Sequence, residues 1–276
     1  MIIFKSINKL NKEVNFKAKI GFVPTMGSLH NGHISLIKSS KRICTKTLVS
    51  IFINPTQFNK SSDLKNYPRN LKKYPKNLNQ DLKILKKLKV DYLFIPKINE
   101  VYKSRNNMKI KLNKKDKILC AKYRPGHFEG VLAVINQFLL NFKPKAMFLG
   151  EKDYQQIFLI KKFIKNKFKT KVIKCKTVRS NNLLPYSSRN FLLSKKDIKK
   201  ASFVSSTIYN YYLSIKKNFK NIHNISRIKK NIESKKIKTD YFEIRNKINL
   251  SKKFNNKNFK IFIAYYLNDT RLIDNF

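Results

Sequence analysis

Glycine, cysteine and acidic residues are all scarce in this chain, and each scarcity excludes something. The three cysteines, Cys44, Cys120 and Cys175, lie far apart. An odd count with no paired spacing offers no metal or redox motif and suits a reducing cytoplasm. No apolar run is long enough to cross a bilayer. The first residues, Met1-Ile2-Ile3-Phe4-Lys5, run from apolar to polar, the reverse of a secretory signal. A cytoplasmic protein with no membrane partner is expected. Only 15 acidic residues face 62 basic ones, a net charge of +47. Nucleic-acid binding is the obvious reading of such an excess. Against it, nine of the basic residues are arginine and all the others lysine, spread along the whole chain. Arginine is the residue suited to bidentate recognition of phosphate and guanine. A solvated lysine surface with weak attraction to polyanions is the plainer reading. No specific nucleic-acid partner is expected, and a basic RNA-binding protein stays as the non-enzymatic alternative.

What remains is ordinary globular material: 276 residues, 42% of them hydrophobic, enough for one large domain or two moderate ones. Strand and helix signals alternate. Lys19 to Thr25 reads as a strand, and Ile34, Ile37 and Cys44 fit one face of a following helix. Leu48 to Ile53 is a continuous apolar run, the pattern of a strand buried on both faces. Leu78, Leu82, Leu85 and Leu88 mark a helix, and Tyr92 to Ile95 a strand stopped by Pro96. Val131, Val134, Ile135, Phe138 and Phe142 form a helical stripe ended by Pro144. Ala146 to Leu149, then Ile157, Ile160 and Ile164, then Val172-Ile173 continue the alternation, which predicts a parallel α/β sheet. After about residue 177 come lysine-rich helical segments and strand-like stretches at Tyr241 to Arg245 and Lys260 to Leu267. These predict a smaller α+β domain, giving two domains, 1–177 and 178–276. A tandem element, Tyr67-Pro68-Arg69-Asn70-Leu71-Lys72 and Tyr74-Pro75-Lys76-Asn77-Leu78-Asn79, interrupts the first. Pro75 is expected to prevent a regular helix through the second copy.

Ligands of open parallel sheets bind outside the carboxyl ends of the strands. After the predicted strands come Met26-Gly27-Ser28-Leu29-His30-Asn31-Gly32-His33, then Asn54-Pro55-Thr56-Gln57-Phe58, then Gly150-Glu151-Lys152-Asp153, then Arg179 and Ser187-Ser188-Arg189. Topology alone predicts that these polar clusters share one sheet edge. Five of the six glycines, Gly27, Gly32, Gly126, Gly130 and Gly150, lie in or beside polar clusters, as do His30, His33 and His127. A chain this poor in glycine is expected to keep it where backbone approaches a ligand or takes positive φ. Gly32 would let a phosphate approach, the helix starting near His33 would offer unpaired amides, and the two imidazoles would donate to phosphate oxygens. Taken singly, each cluster has a simpler reading. The histidines could form a polar cap or bind a metal, though no third ligand is suitably spaced. Asn54-Pro55 could be a turn, Gln57 and Gln156 surface amides, and Glu151 and Asp153 dipole-favoured residues at a helix start. Neither a Walker loop nor a Gly-x-Gly-x-x-Gly fingerprint is present.

Five segments in order resemble the pantoate–β-alanine ligase family: Val23 to His33, Ser50 to Phe58, Arg124 to Val131, Phe148 to Gln156 and Ser187 to Asn190. The ending Thr270 to Asn275 is also similar, so the likeness spans nearly the whole chain. It implies a Rossmann-like parallel sheet of the His-x-Gly-His nucleotidyltransferase type, binding ATP and pantoate, and a smaller C-terminal α+β lid domain. It also implies a homodimer and a Mg2+–ATP requirement. Pantoate would be adenylated, and the amine of β-alanine would displace AMP. By resemblance, Met26, Gly27, Ser28, Leu29, His30, Asn31, Gly32 and His33 contact ATP, with His33 the proton donor and His30 sharing the phosphate. Gly150, Glu151, Lys152 and Asp153 bind the nucleotide, Lys152 neutralising phosphate charge. Asn54, Gln57 and Gln156 hold pantoate. Val178 lies near adenine, and Tyr186, Ser187, Ser188 and Arg189 close over the phosphates. Asp81 matches a carboxylate near Mg2+. Pro185-Tyr186 and Asn181-Asn182 depart from the family pattern and change the shape expected of that loop. The competing enzymatic reading is another nucleotidyltransferase, acting on a phosphate-bearing metabolite. Gln57 and Gln156 argue against it, because a phosphate acceptor calls for cationic contacts.

Overall fold

A computed structural model describes residues 1–58, 74–102 and 110–276, without the side chains of 74–77. The Tyr67 copy of the tandem element lies outside the described residues. The chain forms two compact units, 1–176 and 177–276.

The first unit is built on a six-stranded sheet in the order β1-β4-β3-β2-β5-β6. The strands are β1 (Ile2–Phe4), β2 (Ile20–Thr25), β3 (Lys46–Ile51), β4 (Tyr92–Phe94), β5 (Ala146–Gly150) and β6 (Lys171–Cys175). Every pairing is parallel. Burial on both faces explains the continuous apolar runs. On one face Phe22 meets Phe138 and Phe142 edge-on, with ring centroids 5.7 and 5.1 Å apart, and both partners belong to the helix His127–Asn141 or its cap. On the other, Val23 and Val49 pack with Leu36 and Ile37 of the helix Asn31–Ile43. The chain leaves β2 toward β3 and β4, then returns to the opposite side of β2 to form β5. The carboxyl ends of β2 and β5 therefore flank the crevice where the strand order reverses. Gly21 pairs with Ala146 and Phe22 with Met147, so Thr25 stands level with Gly150.

Pro75 does not break the helix predicted from Leu78 onward. That helix starts at Tyr74 and runs to Lys87. Pro75 falls in its first turn, where a missing backbone N–H loses no hydrogen bond.

The second unit carries an antiparallel sheet, β7 (Lys238–Asn246), β8 (Phe259–Leu267) and β9 (Thr270–Asn275), in that order. The long helix Lys195–Lys217 buries Ala201, Val204 and Ile208 in the same cluster as Ile261, Ile263 and Tyr265 of β8. Ser194 caps its start by accepting from the Asp197 N–H.

Candidate active site

The segment after β2 is a tightly bonded loop that leads into the helix Asn31–Ile43. Thr25 Oγ1 donates to the Ser50 carbonyl and accepts from Gly27 N–H. Gly27 takes φ 77° and Ser28 φ 44°, so two consecutive residues sit in the left-handed region. That geometry favours glycine at the first and costs roughly 1 kcal/mol at the second. Asp81 offsets the cost. Its buried carboxylate accepts from Ser28 N–H at 2.6 Å and from Leu29 N–H at 2.7 Å. The Leu29 side chain belongs to the core. His30 caps the helix, its Nδ1 accepting from Gly32 N–H at 3.1 Å. The His30 and His33 rings lie 4.0 Å apart, three residues along the helix start.

Asp81, which the resemblance implies as a carboxylate near Mg2+, accepts loop amides on both its oxygens. Among the described residues, no group of three or more His, Cys, Asp or Glu is placed to hold a metal ion. The Gly32 amide is taken up by the cap that His30 makes. Because His30 Nδ1 accepts, the neutral ring carries its proton on Nε2.

The segment after β3 folds into a turn that reaches this loop. Asn54 caps it, and its Oδ1 accepts from the Thr56 N–H and hydroxyl. Asn54 Nδ2 donates to the Gly130 carbonyl at 3.0 Å. The Gln57 side-chain amide donates to the Met26 sulfur, joining the two segments. Tyr102 donates to Asn54 Oδ1 at 2.8 Å, and burial raises the pKa of its phenol. On the far side, His127 Nδ1 meets the Gln57 carbonyl at 2.7 Å, and Arg124 Nη1 meets His127 Nε2 at 2.8 Å. Gly130 is required by close approach: a Cβ there would stand 2.7 Å from Gln57 N. Gly126 is required by its φ of 81° at the helix start.

After β5, Gly150 to Asp153 form a short turn into the helix Tyr154–Ile164. No described atom lies within 4 Å of where a Gly150 Cβ would stand, so this backbone faces open space. Lys152 lies 3.8 Å from Asp153, and Glu151 pairs with Lys174 at 3.3 Å. Of the two neighbouring glutamines, Gln155 is structural: its amide holds the carbonyls of Ile118 and Asp116. Gln156, on the next helix position, is half-buried.

The remaining predicted residues belong to the second unit. The segment 178–186 folds back on itself, with Tyr186 N–H donating to the Val178 carbonyl. Its turn takes positive φ at Leu183, not at Asn181 or Asn182. Ser187 Oγ accepts from Arg189 N–H, Ser188 is buried, and Arg189 Nη1 donates to the Arg271 carbonyl. Arg179 was grouped with the ligand-facing clusters. Instead its guanidinium makes a two-pronged pair with Asp274 at 2.8 Å on each side and lies 3.9 Å from the Phe276 ring centroid.

Tyr102 was missed by sequence reasoning, because nothing local distinguishes it from a core tyrosine. His127 stood out in the sequence as one of the histidines beside a polar cluster, and Arg124 only as part of a resembling segment; neither carried an assigned role.

The pantoate–β-alanine ligase family model matches residues 2–276. The chain is 43% identical to the pantothenate synthetase of Francisella philomiragia, over 100% of this chain and 97% of the relative. It is 41% identical to that of Francisella tularensis subsp. novicida, with the same coverage. The crystal structure of Francisella tularensis pantoate–β-alanine ligase, complexed with Beta-gamma ATP and β-alanine, superposes with a TM-score of 0.84 at 40% identity, covering 100% of this chain and 97% of that one. Pantothenate synthetase from Thermus thermophilus gives 0.87 at 28% identity, covering 100% and 99%. With the matched motifs standing at the carboxyl ends of β2, β3 and β5, the chain belongs to the pantoate–β-alanine ligase family.

Proposed function

We propose that the protein condenses pantoate with β-alanine at the expense of ATP, through a pantoyl adenylate. One observation carries this reading: the Gln57 amide lies against Met26 of the histidine loop. A carboxylate-orienting amide and a phosphate-handling pair of imidazoles thus share one strand edge. In the first step a pantoate carboxylate oxygen attacks the α-phosphorus and pyrophosphate leaves. In the second the β-alanine amine attacks the acyl carbon, loses a proton and expels AMP. Neutral Asn54, Gln57 and Gln156 would orient the carboxylate without quenching its nucleophilicity. His33, His30 and Lys152 would stabilise the charge that builds on the phosphates. Such catalysis is mostly positioning, with no covalent enzyme intermediate.

The crystallised Francisella tularensis relative, whose complex contains Beta-gamma ATP and β-alanine, supports ATP as co-substrate. Among the described residues, no cluster of three or more His, Cys, Asp or Glu is placed to hold a metal ion by itself. A divalent cation would travel with the triphosphate. Residues Val178 to Arg189 would cover the nucleotide as part of a lid, and the assembly would be a homodimer.

The test is AMP release from ATP and pantoate with and without β-alanine. The expected result is stoichiometric AMP and pantothenate that depend on both substrates. AMP that appears equally with unrelated carboxylates would overturn the assignment.

A further inference from the structure

Two of the matched segments, Ser50 to Phe58 and Arg124 to Val131, interlock through side chains to which the reaction assigns no role. We infer that His127 is a positioning residue for Gln57, held by Arg124 in the one tautomer that can do the work. This rests on the reading that Gln57 orients the carboxylate substrate.

The tautomer follows from the partners. The Gln57 carbonyl can only accept, so His127 Nδ1 carries the proton and donates at 2.7 Å. The Arg124 guanidinium can only donate, so His127 Nε2 accepts at 2.8 Å. Neutral imidazole has one donor and one acceptor, and a single arrangement satisfies both contacts. The turn that creates this pair is local. Gly126 takes φ 81°, the His127 N–H donates to the Arg124 carbonyl, and the two side chains come to lie together.

The same helix turn grips the other end of the Asn54–Gln57 segment. Gly130, three residues after His127, packs against the Thr56–Gln57 peptide, and its carbonyl accepts from Asn54 Nδ2. His127 and Gly130 thus hold the two ends of one short turn from one helix face. Losing the His127 bond leaves the Gln57 carbonyl, in a buried setting, without this donor. The peptide can then rotate, and its side-chain amide shifts with it. Displacements near 1 Å at a substrate-orienting group cost about 10²-fold in rate.

The experiment compares two amide replacements in the full-length protein. His127→Asn keeps an N–H close to the Nδ1 position. His127→Gln moves the amide out to the Nε2 position and loses that donor. The KM for pantoate should stay within about threefold of the parent in His127→Asn and rise at least about tenfold in His127→Gln, about 1.4 kcal/mol. The KM for ATP should change less than about twofold in both, since the histidine loop is held separately. Equal pantoate KM values, or a parallel rise for ATP, overturn the inference.

If His127→Gln does not fold, Arg124→Met replaces it, with the same split expected between pantoate and ATP. An unchanged pantoate KM there overturns the inference. Nitrogen NMR of the 15N-histidine-labelled parent gives a reading independent of turnover. His127 Nδ1 should resonate as the protonated ring nitrogen and Nε2 as the bare one, and the opposite assignment refutes the tautomer lock. A parent that shows the expected tautomer but makes no AMP from pantoate would fail the functional reading and leave the lock standing.

Discussion

Around the histidine loop, Thr25, Asn54, Thr56, Gln57 and Tyr102 meet one another or the backbone as neutral hydrogen-bonding groups. In the second unit buried charges pair with one another: Arg179 with Asp274, and Arg271 with Asp240 at 2.7 Å. Asp274 also accepts from the Ser205 hydroxyl. The difference follows from what each set faces. A network proposed to orient a charged substrate would fix directions mainly through neutral groups, with the Arg124 guanidinium engaged by His127. A network that only joins β9 to the segment entering the unit can neutralise itself completely. Buried charges of that second kind are costly to separate and contribute little when intact.

The largest expected effect tests the charged side of this contrast. Asp274→Ala strands the Arg179 guanidinium and should cost about 3–5 kcal/mol. Urea unfolding followed by fluorescence would measure it. A loss below about 1 kcal/mol would place the pair with exposed ones and remove the contrast.

Next comes His33→Ala, where turnover should fall about 10²–10³-fold, roughly 3–4 kcal/mol of transition-state stabilisation. Its circular-dichroism spectrum and unfolding midpoint should match the parent. Unfolding instead would give His33 a structural role of the kind Asp274 plays.

The smallest effect sharpens the comparison at its boundary, because Asp81 is a carboxylate whose described partners are backbone amides. Asp81→Asn turns one acceptor into a donor facing a loop N–H and should cost about 1–3 kcal/mol. The KM for ATP should rise more than that for pantoate. Equal increases would mean that Asp81 supports the whole sheet edge and not the histidine loop.

Much of the first unit was legible because its inner strands are buried on both faces, which leaves runs such as Leu48 to Ile53. The observed strand, Lys46–Ile51, stops earlier because the next residues turn toward the site. β1 was not legible: at the sheet edge, Ile2 and Ile3 are exposed and carry no alternation. β9 was hidden for another reason. Its Arg271 and Asp274 are buried by pairing, so a largely buried edge strand reads as polar. At the site, the composition of the loops could be read in advance but their internal bonding could not. Asp81 reaches Ser28 and Leu29 across more than fifty residues, and no local pattern announces such a contact. His30 illustrates the same limit, since the helix-cap and phosphate readings predict the same residue and only the Gly32 bond shows that it caps.

The bonding of Asp81 to the left-handed turn at Gly27 and Ser28 also has an entropic side. Fixing one residue of backbone costs about 1–2 kcal/mol. This loop incurs that cost when the protein folds, so on the proposed reading an arriving nucleotide would have little of it left to order. Departure of AMP and pyrophosphate would likewise leave the loop standing, ready for another turnover.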